Sequence, residues 1–125
     1  MIAGVGIDVC EIARMEDLLT EGRFLARFFS REEQAYIQSK GRAAAQTMAG
    51  LYAAKEALVK ALGTGLQGME LKDIVVLHDS QGAPGYALGG AAEAAARARG
   101  IRTLHLSITH DGGVAAAVCI AERET

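Results

Sequence analysis

The sequence predicts one compact domain that combines a long, nearly enclosed helix with antiparallel hairpins, and three observations predict it. The first is the run L-Y-A-A-K-E-A-L-V-K-A-L-G-T-G at residues 51–65. It is rich in strong helix formers and closes on Gly63 and Gly65, which supply the left-handed positions where helices end. The second is the alternation of Leu104, Leu106 and Ile108 with His105, Ser107 and Thr109, followed by the turn Asp111-Gly112-Gly113 and the run Val114 to Ala121. The third is bulk: 125 residues at 50% apolar content suit a single domain, 1–125, that buries roughly two-thirds of its unfolded surface.

Taken in order, residues 2–9 read as a first strand, with Ala3, Val5, Ile7 and Val9 on one parity and Gly4, Gly6 and Asp8 on the other. The glycines leave room for something to approach the backbone closely. Asp8 then either has space for a ligand or caps the helix that starts near Glu11. Ile12, Met15, Leu18 and Leu19 mark one face of that helix, Arg14 points off it, and Gly22 ends it. Arg23, Arg27 and Arg31 follow at four-residue intervals, beside Phe24 and Phe28. A helix here shows a basic stripe next to an aromatic one, fit either for an acidic partner or for a solvated surface shared with Glu11, Glu16, Asp17, Glu21, Glu32 and Glu33. Ser30-Arg31-Glu32-Glu33 is a capping box opening a helix to about Ser39. The central helix runs from about Arg42 to Leu62.

Asp73 to His78 reads as a strand, Q-G-A-P-G as a turn and Tyr86 to Leu88 as the returning strand, with His78 structural or exposed. Ala91 to Arg99 is a short helix with a Glu93–Arg97 pair and Gly100 past its end. The hairpin 104–121 completes the domain and leaves His110 and Asp111 at a strand tip, as turn residues or as ligand-binding ones.

On the central helix, Met48, Leu51, Tyr52, Leu58, Val59 and Leu62 share a stripe, and Ala53, Ala54, Ala57 and Ala61 cover most of the remainder. Only Lys55, Glu56 and Lys60 interrupt this apolar surface, and each buried charge needs a partner, a metal or a ligand. Glu56 and Lys60 share a face. They make either an ordinary i,i+4 ion pair or a carboxylate that holds a hard cation beside ammonium groups that neutralise phosphate, which requires a second carboxylate from elsewhere. Lys55 falls inside the apolar stripe, where a solvated lysine is out of place.

A formal charge of -2 argues against a general nucleic-acid binder. Cys10 and Cys119 are too few and too distant for a disulfide framework or a zinc site and read as buried thiols. The apolar N-terminus lacks the basic segment and length of a signal peptide, and no run is long enough to span a membrane, so the expected location is the cytoplasm.

Together, G-I-D-V-C-E-I-A-R at 6–14, A-A-K-E-A-L-V-K-A-L-G-T-G at 53–65 and S-I-T-H at 107–110 resemble the phosphopantetheinyl transferases, of the small holo-acyl-carrier-protein synthase type. F-F-S-R-E-E and the hairpin around Pro84 fit as well. The departures are mild: Thr109 stands where the family often has a second serine, and Tyr52 where another aromatic is common. The resemblance implies an α+β fold, a small antiparallel sheet packed against the long central helix. It implies Mg²⁺-dependent transfer of the 4'-phosphopantetheine arm of coenzyme A to a serine of apo acyl carrier protein, for fatty acid biosynthesis with polyketide carriers as a further class. Asp8 and Glu56 are the implied metal ligands, and Lys60 the group that stabilises or protonates the leaving phosphate. Lys55 is expected at another phosphate oxygen, and His110 at the 3'-phosphate with a hydroxyl from Ser107 or Thr109. Carrier docking falls to Arg14, Arg23 and Arg27, and the implied assembly is a homotrimer with sites between subunits. A carboxylate engaged by a cation is a poor proton acceptor, so Asp111 is the expected base for the serine. Two other functions suit the same residues: a noncatalytic nucleotide- or phosphate-binding module, and a Mg²⁺-dependent pyrophosphate hydrolase. Two carboxylates without a metal serve the former poorly.

Overall fold

The computed structural model describes residues 1–124; Thr125, the last residue of the expected domain, lies outside them. The chain runs β1 (Ile2–Glu11), α1 (Ile12–Glu21), α2 (Arg23–Phe28), α3 (Arg31–Gln38), α4 (Ala44–Leu62), β2 (Ile74–His78), β3 (Pro84–Leu88), α5 (Gly90–Ala98), β4 (Ile101–Asp111) and β5 (Val114–Arg123). An antiparallel sheet of order β1-β5-β4 packs against α4, and β2 and β3 form a separate two-stranded hairpin. This is the expected α+β arrangement.

The alanines of α4 and the glycines of β1 explain why the two elements meet so closely. A Cβ on Gly4 would lie 1.9 Å from the Ala61 carbonyl oxygen, and one on Gly6 1.8 Å from that of Ala57. The room expected beside Asp8 is thus filled, two and four residues earlier, by the helix backbone itself. On the same face, Gly50 admits the Ile108 side chain, whose Cγ2 would stand 2.9 Å from an added Cβ. Ala53, Ala54 and Ala57 are fully buried as a result. Helix α4 stops at Gly63, left-handed at φ 73°, whose N–H bonds back to the Val59 and Lys60 carbonyls.

Several boundaries differ from expectation. Strand β1 extends to Glu11, so Asp8 sits inside it and caps nothing; Glu11 precedes α1 without a side-chain cap. The central helix begins at Ala44, after a 3-10 turn at Gly41–Ala43. The basic stripe is broken: Phe29 is extended (φ -123°, ψ 141°), α2 ends, and Arg31 opens a different helix. The capping box that does this is complete, with Ser30 Oγ accepting from Glu33 N at 3.2 Å and Glu33 Oε1 accepting from Ser30 N at 2.9 Å. Ser30→Ala should therefore lower the unfolding free energy by about 1 kcal/mol, read from urea denaturation; no loss would show that the carboxylate half of the box suffices.

Cys10 and Cys119 are both buried free thiols. Across the face of the sheet turned away from α4, Val5 pairs through Ile120 to His105, Ile7 through Val118 to Ser107, and Val9 through Ala116 to Thr109. Val5, Ile7 and Val9 remain 57%, 62% and 59% exposed. These three side chains form an uncovered apolar stripe along the strand. Among the described residues, no helix is long and apolar enough to cross a membrane.

Candidate functional site

Lys60 does not pair with Glu56. Its Nζ instead reaches across to β1 and donates to Asp8 Oδ1 at 3.1 Å and to the Ile7 carbonyl at 3.0 Å. The Asp8 side chain is 19% exposed and that of Lys60 55%, so the pair is reached by water and an isolated ion pair there adds little stability. Glu56, half-buried one turn before Lys60 on the same face, has no ion pair among the described residues. Next to it, burial and the Glu56 charge push the Tyr52 phenol up from its usual pKa. Arg14 sits over the Tyr52 ring at 5.9 Å. Two carboxylates from different elements, one unpaired, with an ammonium beside them, suit a hard cation that takes oxygen ligands and leaves positions for a phosphate-bearing ligand. Among the described residues, no third His, Cys, Asp or Glu joins them as a further ligand.

Lys55 is a correction. Its ammonium is wholly buried and spends its three donors inside the protein: on Glu33 Oε1 at 2.7 Å, the Leu71 carbonyl at 2.8 Å and the Ile74 carbonyl at 2.6 Å. No donor is left for a phosphate. Burial pushes its pKa below the usual lysine value, against the pull of Glu33. Glu33, expected on the solvated surface, is 1% exposed and also accepts from Val76 N at 2.9 Å, so one carboxylate ties α3, α4 and β2 together.

His110 and Asp111 do end β4, but alternation sends them to opposite faces of the sheet. His110 faces α4, where its Nε2 meets Gln46 Nε2 at 3.1 Å. With Lys40, Thr47, His78 and Thr109 the pair lines a cleft of about 400 Å³ between α3, α4 and the β2–β3 hairpin. Ser107 and Thr109 share the outer face by register, opposite Val118 and Ala116, and of the two only Thr109, next to His110 in the strand, is among the residues at this cleft. Sequence reasoning missed Lys40 and Gln46 and left His78 unassigned. The His78 ring stacks on Tyr36 at 4.1 Å and 10°, and burial with Lys40 nearby lowers its pKa. The one available signal was K-G-R just ahead of the helix.

The two groups are not adjacent in one chain. Gln46, bonded to His110, and Glu56 are ten residues apart on α4, about 15 Å along its axis. A third feature lies near α1 and α2: a cleft of about 550 Å³ lined by Leu18, Phe24, Phe28, Arg23 and Arg27. Arg23 is held by Glu21 at 2.7 Å, and Arg27 lies 5.1 Å over the Phe28 ring.

Residues 4–119 match the family described as the 4'-phosphopantetheinyl transferase superfamily. The holo-[acyl-carrier-protein] synthase of Treponema denticola is 49% identical over 98% of this chain and 99% of its own. Among solved structures, holo-[acyl-carrier-protein] synthase from Neisseria meningitidis superposes with a TM-score of 0.88 at 31% identity, covering 98% of this chain and 100% of that one. The Bacillus anthracis synthase, in complex with CoA (3',5'-ADP), gives 0.82 at 32% identity over 99% of both chains.

Proposed function

The chain belongs to the 4'-phosphopantetheinyl transferase superfamily, and on that premise we propose that it transfers the 4'-phosphopantetheine arm of coenzyme A to a serine hydroxyl of apo acyl carrier protein, releasing adenosine 3',5'-bisphosphate. The observation that supports this reading is the Asp8–Lys60 contact between β1 and α4, with Glu56 one turn before Lys60 on the same helix face and in no ion pair among the described residues. The serine oxygen forms a bond to the phosphorus that bears the pantetheine arm, and the bond from that phosphorus to the bridging oxygen breaks. Lys60 stabilises or protonates the departing phosphate, and Asp111 accepts the serine proton directly or through water. Asp8 and Glu56 would hold Mg²⁺, which when bound neutralises charge on the pyrophosphate. Carrier proteins of fatty acid synthesis are the proposed acceptors, polyketide carriers a further class, and the cytoplasm the proposed location. Incubation with coenzyme A, Mg²⁺ and apo carrier should add the mass of one phosphopantetheine arm to the carrier. Bisphosphate release with an unmodified carrier would instead mean pyrophosphate hydrolysis.

The proposed assembly is a homotrimer with sites between subunits. A single ribose joins the pyrophosphate and 3'-phosphate of coenzyme A, too short a bridge to place one at Glu56 and the other at His110 of the same chain. The exposed Val5–Ile7–Val9 stripe supplies an apolar surface for neighbours to cover.

Arg14, Arg23 and Arg27 are proposed to steer the acidic carrier, with Phe24 and Phe28 supplying apolar contact. Arg27 is the cleaner probe, because Arg14 sits over Tyr52 beside Glu56. Arg27→Glu should raise the KM for carrier roughly five-fold at low salt, flatten its salt dependence and leave the KM for coenzyme A alone. An unchanged salt profile would return Arg27 to the solvated surface.

A further inference from the structure

His110 approaches α4 at its first turn, and the contact there is between two nitrogens, Gln46 Nε2 and His110 Nε2, at 3.1 Å. An amide nitrogen donates and does not accept, so with the Gln46 amide turned this way the ring nitrogen opposite it carries the lone pair. The proton of the neutral ring is then on Nδ1. We propose that Gln46 is a positioning residue: by occupying Nε2 it holds His110 as the Nδ1–H tautomer and leaves that N–H as the ring's donor to an anionic oxygen in the adjoining cleft. On the function proposed above, on which the ligand's identity rests, that oxygen belongs to the 3'-phosphate of coenzyme A.

A second histidine of the same strand shows what the choice of partner does. His105 Nε2 is met by the Glu122 carboxylate at 2.5 Å, which supplies the negative charge an imidazolium needs and would repel a phosphate. His110 is met by a neutral amide instead. Among the described residues no carboxylate lies within ion-pair distance of His110 or of Lys40, so neither the ring's N–H nor the Lys40 ammonium lining the cleft is already taken by a carboxylate. The third histidine, His78, is engaged in its stack with Tyr36.

Ring tautomers are read directly from long-range ¹H–¹⁵N correlations of labelled protein at mildly alkaline pH, where imidazole is neutral. Wild-type His110 should show the Nδ1–H pattern. Gln46→Ala, which keeps a strong helix former in a half-buried turn, should return the ring to mainly Nε2–H, the form preferred by free histidine. Gln46→Glu, whose carboxylate only accepts, should do the same. In calorimetric titrations with adenosine 3',5'-bisphosphate, Gln46→Ala should bind about 3- to 10-fold more weakly, the worth of one hydrogen bond, with no change for adenosine 5'-monophosphate. A wild-type ring protonated on Nε2, or one indifferent to Gln46→Ala, overturns the proposal, as does equal weakening towards both nucleotides. Wild-type protein that binds the bisphosphate no better than the monophosphate overturns the 3'-phosphate assignment, while the spectrum still decides what Gln46 does to the ring.

Discussion

Replacing Glu56 with Gln should cut transfer to the carrier by at least about 100-fold, because loss of an outer-shell partner already costs 10- to 100-fold in metal affinity or activity, and Glu56 is the proposed direct ligand. The fold should survive. Glu56 is half-buried and holds no ion pair among the described residues, and Gln keeps an oxygen that can accept from the neighbouring Tyr52 phenol, so the substitution breaks no salt bridge inside the chain. Asp8→Asn should do comparable damage by a slightly different route, since it also replaces the carboxylate that Lys60 Nζ pairs with at 3.1 Å by a neutral amide oxygen, weakening the hold on Lys60. Raising Mg²⁺ should recover part of the loss in either variant, as expected of a weakened site rather than a broken fold. Carrier modification followed by mass, with far-ultraviolet circular dichroism on the same samples, measures both. A folded Asp8→Asn, Glu56→Gln double variant with full activity would remove the two-carboxylate site.

How far the sequence revealed this site depends on the range of each interaction. Local signals carried well: the capping box at Ser30, the glycine stop at Gly63 and the alternation of β4 all lie where periodicity and turn chemistry put them. Lys55 was legible as misplaced in an apolar stripe, but its partner was not. Glu33 lies 22 residues earlier in a motif that ordinarily sits at a solvated helix start, and only the packing of α3 on α4 buries it. Lys60 illustrates the same limit from the other side. An i,i+4 neighbour was available, yet the contact formed is with Asp8, 52 residues away, because Gly4 and Gly6 let α4 settle directly onto β1. In strand β1 the glycine parity was legible as a place of close approach, but not that the helix backbone itself makes it: one parity was apolar, the other small, and the small one packs on α4. Gln46, in an alanine-rich run, carried no sign of its meeting with His110 at all.

The separation of the Asp8–Glu56–Lys60 group from His110 gives the remaining prediction its force. If each site takes the first group from one subunit and His110 with Asp111 from a neighbour, Asp8→Asn and His110→Ala proteins are each inactive for different halves of the same interface. Refolding them together in equal amounts should then regenerate activity. A closed three-fold ring has directional, head-to-tail interfaces, so each interface draws its two halves from different chains. With random assembly, about a quarter of interfaces pair two unmutated halves, and activity should return to about that fraction of wild type. If both groups serve one site within a chain, no mixture contains an intact site, and activity stays at the level of the parents. Native mass spectrometry of the refolded mixture, confirming mixed trimers, and circular dichroism of each parent keep a failure to assemble apart from a failure to share. Recovery near a quarter supports the shared site; none in verified mixed trimers assigns both groups to one chain, and the exposed Val5–Ile7–Val9 stripe would then join subunits without building the site.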